Sequence, residues 1–231
     1  MPESYHSFLK GFPNVNILFV DDGSNDDTLS VIEAICLSAN QASYIRLEKN
    51  FGKAEAVRRG ICKMLEKQFT FIGYFDADLS TDLSVVKDMV QIMVENPKIQ
   101  LVMGSRISKL GCSISRKWYR HLISRLVTFL LDSMSLKLEA YDTQCGAKLM
   151  HANLVQQVCT QRFVTKWLVD VEIISRMIAK NGRENTRNYI FELPLCEWNH
   201  RSNSKIGIIG GFCIAKDLVN FFWTYRNINW L

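Results

Sequence analysis

A chain of 231 residues makes one large domain or two small ones. With 48% hydrophobic and 22% charged residues, 4 prolines and 12 glycines, its composition suits a globular core and excludes a collagenous or largely disordered chain. The net charge is +5, and the 7 cysteines form no Cys-x-x-Cys pair, which argues against a disulfide frame or zinc site and for reduced, buried thiols in the cytosol.

The opening residues MPESYHSFLK lack the charged-then-apolar pattern of a secretory leader. NVNILFV (14–20) is a predicted buried strand that stops at the acidic turn DDGSNDDT. A helical apolar period covers Thr28 to Ala39. SYIRLE is a short strand, followed by the turn NFGK and the helix AEAVRRGICKMLEK. FTFIGYFDAD is a strand, LSVVKDMVQIMVEN a helix, and IQLVMGSR another strand. This alternation predicts an α/β fold with a mostly parallel sheet flanked by helices. Ligands then bind beyond the carboxyl ends of the strands, where Asp21, Asp22, Asp76, Asp78 and Arg106 all fall.

The second half reads differently. Trp118 to Met134 carries an apolar stripe of Tyr119, Leu122, Ile123, Leu126, Leu130 and Met134, bordered by Arg116, Lys117, Arg120 and Arg125. The stretch from Asn96 to Leu131 holds seven Lys or Arg and no acid, which points to an anionic partner such as phosphate or a lipid surface. IGIIGGFCIA and LVNFFWTY, separated by Lys216 and Asp217, fall short of the roughly 18 uncharged residues of a spanning helix. Each amphipathic segment either packs on the sheet or lies in a membrane interface, with Trp118, Trp223, Tyr225 and Trp230 at headgroup depth. Nucleic acid is not an expected partner, because the basic block is interleaved with an apolar stripe.

Asp76 and Asp78 follow the apolar run FIGYF directly. In extended chain, residues i and i+2 point to one side. Two such carboxylates can share a hard cation, Mg²⁺ or Mn²⁺, and leave positions open for phosphate oxygens. Caps and turns are the ordinary use of such a pair, but a second acidic turn at Asp21-Asp22-Gly23-Ser24 strengthens the reading of a site. The chain is too long for a receiver domain, and NFGKAEAVRRG lacks the spacing of a phosphate-binding P-loop.

Seven pieces in order, FVDDGSNDDT, NFGKAEAVRRG, FDADLS, MGSR, DTQCGAKLM, KWLVDVEII and EWNHRSNSK, carry a resemblance. The chain resembles family 2 glycosyltransferases of the GT-A (Rossmann-like) fold, in the branch that loads sugars onto polyprenyl phosphates. DTQCG-x-KL and the Trp198-to-Lys205 spacing are similar to the dolichyl-phosphate β-glucosyltransferases. The resemblance implies a transferase domain over 1–205 and a membrane-proximal amphipathic helix over 206–231. It implies that Asp21 and Asp22 contact the base and ribose of a nucleotide-sugar, UDP-glucose first among donors. Asn50, Lys53 and Arg58 or Arg59 would lie near the nucleotide. Asp76 and Asp78 would hold the metal, Arg106 would face phosphate, and Lys205 would close over the diphosphate. Arg120 and Ser124 would meet the phosphate of a polyprenyl or dolichyl acceptor at the cytoplasmic membrane surface. Asp142, Gln144 and Asp170 would border the acceptor.

The family opens with a strand and a Pro-x-Tyr-Asn-Glu loop, whereas PESYHSFLKGFPN reads as the helix that follows, so a missing strand and open sheet edges are expected. Some relatives carry Gln as a further metal ligand at the place of Ser80. Two other readings stay open: transfer to a saccharide hydroxyl, with Asp142 or Asp170 as general base, and a non-catalytic relative that binds membrane or a partner.

Overall fold

The computed structural model describes residues 2–107, 113–115, 138–199 and 208–226. In chain order these form α1 (Pro2–Gly11), β1 (Ile17–Asp21), α2 (Thr28–Ser38), β2 (Ala42–Arg46), α3 (Lys53–Leu65), β3 (Phe71–Phe75), α4 (Val85–Glu95) and β4 (Leu101–Ser105). There follow β5 (Ser113–Ser115), β6 (Ala147–His151), α5 (Ala152–Val158), α6 (Val169–Asn181), α7 (Arg183–Tyr189), β7 (Ile190–Pro194), β8 (Glu197–Asn199) and α8 (Ile208–Tyr225). The predicted helix over 118–134 lies outside the described residues, as does the expected division at 205/206.

The alternation of strands and helices from β1 to β4 follows the sequence pattern. β1 pairs in parallel with β2, and β4 in parallel with β7. β6 departs from the pattern: it runs antiparallel to both β3 and β4 and lies between them. The order is β3-β6-β4-β7, with β5 and β8 as a separate parallel pair. Helices cover both faces. Val86, Met89 and Met93 on α4 share one helical stripe and pack on Val102, Ala147 and Leu149. On the opposite face, Ile173, Ile174 and Met177 of α6 join Leu101, Met103 and Met150. Each such side chain contributes roughly 1.5–3 kcal/mol by leaving water.

The long apolar run at the carboxyl end forms one continuous helix, α8. Phe221 and Tyr225 enter the core beside α6, while Val219 and Trp223 face outward, Trp223 with 65% exposure. Among the described residues no helix is long and apolar enough to cross a membrane. Of the thiols expected to be buried, Cys145 and Cys159 are buried and Cys36 and Cys62 partly so, whereas Cys196 and Cys213 are exposed. Cys112 lies outside the described residues.

Between β1 and β3 the sheet is interrupted. Each has one strand neighbour among the described residues, so each leaves one edge open. An apolar slot of about 1280 Å³ separates them, lined among others by Phe19, Ile32, Ile61, Ile72, Val86 and Val90. The helix α3 packs on both strands and bridges the slot from one face.

The outer surface of α3 is held by Glu55. Its carboxylate accepts from Arg58 Nε and Nη2 and from Arg59 Nε, each at 2.8 Å. The Arg58 hydrogen bonds are the main cause that brings Glu55 down to about 2 from an ordinary 4.5, against the opposing effect of burial. A carboxyl depressed in the folded state adds stability above its unfolded value, which is lost as pH falls through the folded one. Glu55→Gln should therefore melt below the parent above about pH 4.5, and the gap should close by about pH 2. Thermal melts across that range check this.

Candidate active site

Three acidic or basic turns meet at the carboxyl ends of β1, β3 and β4. Asp21, 2% exposed, accepts from Ser24 N–H at 3.0 Å and faces Arg46 Nε at 3.4 Å. Asp22 clamps the start of α3: its two oxygens accept from Phe51 N–H and Gly52 N–H, each at 2.8 Å. Gly52 sits at φ +98°, in the region that favours glycine, so this turn admits few other residues. The clamp aims Lys53 across the site. Its Nζ reaches Asp76 Oδ1 at 2.7 Å. Burial opposes the charge on Lys53, but the Asp170 and Asp76 carboxylates outweigh it and hold the ammonium above its usual range. Arg59 lies over the Phe51 ring at 4.5 Å, and Lys49 at 5.3 Å. Arg58 turns inward to the Thr160 carbonyl, and Asn50 is exposed.

Asp76 and Asp78 are both exposed just beyond β3. Asp76 rests on Gly146, where an added Cβ would come within 1.9 Å of Oδ2, and its N–H donates to the Gly146 carbonyl at 2.7 Å. Asp78 accepts from Ser80 N–H at 2.8 Å and Ser80 Oγ at 2.7 Å. Leu79 between them has φ +55°, a strained value for leucine of the kind that gathers at functional turns. Ser80 is buried and engaged with Asp78. Among the described residues no group of three or more His, Cys, Asp or Glu side chains could hold a metal. The donors still suit Mg²⁺ or Mn²⁺: two exposed carboxylates one residue apart, with diphosphate oxygens and water as the other ligands.

Arg106 follows β4 and is locked to Asp142. Its N–H, Nε and Nη2 donate to that carboxylate at 3.0, 2.6 and 2.7 Å. Trp198 stacks beside the guanidinium at 5.5 Å and packs on the α4 core. The N–H groups of Tyr141 and Asp142 donate to Glu192 of β7. Close in sequence to Arg106 and Asp142, Ser105 Oγ, Thr143 Oγ1 and Gln144 Nε2 are buried and have no hydrogen-bond partner among the described residues.

Asp170, an expected acceptor-side residue, is buried. It is 3% exposed, at the start of α6, and accepts from Tyr74 Oη at 2.6 Å and from Lys148 Nζ. Burial opposes its ionisation, yet Lys148 and Lys53 hold it below the ordinary carboxylate range. The sequence pattern did not single out Lys148, Tyr74 or Glu192 as functional. Their signal was a charge or hydroxyl inside a strand, which a buried partner must satisfy. Arg120, Ser124 and Lys205 lie outside the described residues.

Residues 1–159 match the model of glycosyl transferase family 2. The chain belongs to that family. It is 29% identical over 223 residues to the dolichyl-phosphate beta-glucosyltransferase of Saccharomyces cerevisiae, covering 88% of this chain and 63% of that protein. The Homo sapiens protein of the same name is 28% identical over 201 residues, covering 82% and 57%. The family 2 chain thus spans about three fifths of the length of these curated relatives. Its fold matches glucosyl-3-phosphoglycerate synthase from Mycobacterium tuberculosis at TM-score 0.72 and 16% identity, covering 97% of this chain and 74% of that one. The same enzyme in complex with Mn²⁺ and UDP-glucose matches at 0.69 and 15% identity, covering 97% and 75%. The likeness establishes the GT-A fold for this chain.

Proposed function

We propose that this chain forms the catalytic region of an inverting, metal-dependent transferase that moves glucose from UDP-glucose to a polyprenyl or dolichyl phosphate. The observation that carries the reading is the exposed pair Asp76 and Asp78, with Lys53 reaching Asp76, in a family 2 chain related to dolichyl-phosphate glucosyltransferases. Bound Mg²⁺ or Mn²⁺ would neutralise the diphosphate leaving group. Asp76 and Asp78 would hold it. Lys53, freed from Asp76, would turn its ammonium to the diphosphate, where negative charge develops as the anomeric bond breaks. Asp22 keeps the Phe51–Gly52 turn in place for that approach, and with Asp21 frames the nucleotide side. Arg106 would face the acceptor side, with Arg120, Ser124 and Lys205 completing the phosphate contacts.

The occupation of Asp142 and Asp170 favours a phosphate acceptor over a saccharide hydroxyl. A hydroxyl needs a general base, but Asp142 is committed to Arg106, and Asp170 lies behind Tyr74 and Lys148. A phosphate monoester has its second pKa at about 6 and is already a nucleophile at neutral pH. The outward face of α8, with Val219 and Trp223, suits peripheral contact with the cytoplasmic membrane surface.

Transfer assays with UDP-glucose and either dolichyl phosphate or an oligosaccharide test this. Dolichyl phosphate should be the acceptor. Transfer to the oligosaccharide alone would favour the hydroxyl acceptor and a general base at Asp142 or Asp170.

A further inference from the structure

Loop 163–167 connects the carboxyl-terminal helix to the proposed metal site. Two buried carboxylates hold it from behind. Glu172 of α6 accepts from Val164 N–H at 2.9 Å and from Thr165 N–H and Oγ1 at 3.1 Å. Asp217 of α8, 5% exposed, accepts from Lys166 N–H and Trp167 N–H, both on Oδ2 at 2.8 Å.

The front of the same loop supports the start of α3. The Lys166 carbonyl accepts from Ala54 N–H at 2.9 Å. An added Cβ at Gly52 would lie 3.1 Å from Lys166 Cβ, so the two segments are in close packing. Lys53 stands between Gly52 and Ala54 and reaches Asp76. A continuous chain of contacts therefore runs from Asp217 through Lys166 and Ala54 to Lys53. A buried aspartate on an otherwise apolar helix face carries a desolvation cost that only its hydrogen bonds offset. Both of these bonds go to the loop and neither to α8 itself.

We propose that Asp217 is a positioning residue that latches α8 onto loop 163–167 and, through the Lys166 carbonyl, sets the place of Lys53 against Asp76. Nucleotide binding then depends on a docked α8. That consequence rests on the transferase reading; the latch itself does not. Asp217→Leu removes both acceptors. Asp217→Asn keeps one acceptor oxygen and should rescue part of the effect. Phe221→Leu lies on the same helix, is fully buried and accepts nothing from the loop, so it reports on helix packing alone.

The test is hydrogen exchange of peptides covering 51–56 and 163–168 in the full chain without nucleotide, followed by UDP titration with Mn²⁺. Asp217→Leu should speed exchange in both peptides and weaken UDP binding about tenfold. Asp217→Asn should fall between it and the parent. Phe221→Leu should lower Tm and leave both peptides unchanged. The latch is overturned if Asp217→Leu alters only 163–168, or if Phe221→Leu produces the same pattern. Should Asp217→Leu fail to fold, Asp217→Asn against Phe221→Leu decides the question. A parent that binds no UDP counts against the transferase reading, while the exchange data still decide the latch.

Discussion

Lys148→Met is expected to cost about 3–5 kcal/mol of stability, the range for breaking a buried ion pair from one side. In a chain of this length that is a fall in Tm of roughly 6–20 °C. Lys148 is fully buried on β6, the strand held between β3 and β4. Its Nζ donates to Asp170 Oδ1 and to the Cys145 carbonyl, the latter at 2.7 Å. Methionine fills similar space and supplies no charge. Asp170 would then be a buried carboxylate with Tyr74 Oη as its one remaining side-chain hydrogen-bond donor among the described residues and Lys53 as its remaining nearby cation. The pH dependence carries a sign. In the parent, Asp170 is held below its ordinary range, so its stabilising contribution is present above the unfolded value and fades as pH falls through the folded one. In the variant the Lys148 contribution is gone and burial raises the group relative to the parent, so the stability gap should narrow in acid. Lys148→Met with Asp170→Asn should be more stable than Lys148→Met alone, because the orphaned charge is gone. Denaturant unfolding of the two variants and the parent measures this. A Lys148→Met protein as stable as its parent would contradict the burial argument.

Asp76→Asn or Asp78→Asn should each weaken metal-dependent nucleotide binding more than about 100-fold, beyond the ten- to hundredfold typical of residues behind the ligands. Neither change should harm the fold. Both side chains are exposed, and an amide at 78 still accepts from Ser80 N–H. Their effects differ in kind. Asp76 shares its charge with Lys53, whereas Asp78 faces no cation among the described residues. Asp76→Asn also removes the carboxylate paired with the Lys53 ammonium, whereas Asp78→Asn leaves that pair in place; in either variant a divalent cation loses one of its two protein carboxylates. Titration of each variant with UDP in the presence of Mn²⁺ checks the prediction.

How far the sequence discloses this arrangement depends on whether a contact is local. The run from β1 to β4 is legible because each apolar stretch ends at a polar turn and each helix repeats its apolar stripe. Asp76 and Asp78 stand out for the same reason, as charges directly after FIGYF. β6 is not legible as a strand partner. AKLMH carries a lysine, and its place between β3 and β4 is set by pairings about 50 to 80 residues away in the chain. Asp22 is recognisable as a strand-end acid, but its clamp on the Phe51–Gly52 turn spans 29 and 30 residues. Asp217 looks like an interruption of an apolar run, and only the packing of α8 turns it inward onto Lys166 and Trp167. Asp170 looks like a cap or an acceptor-side acid, and only the fold places Lys148 and Tyr74 against it. Pairwise burial of polar groups is a tertiary property, and a single sequence records one partner at a time.

The central claim is that FDADLS holds a cation for a nucleoside diphosphate. Calorimetric titration of the purified chain with UDP and with GDP, with and without Mn²⁺, beside Asp78→Asn, tests it most directly. The expected result is UDP binding that requires Mn²⁺, exceeds GDP binding and disappears in Asp78→Asn. Equal binding with and without Mn²⁺, or no binding of either nucleotide by folded protein, would contradict a metal-assisted transferase site at Asp76 and Asp78.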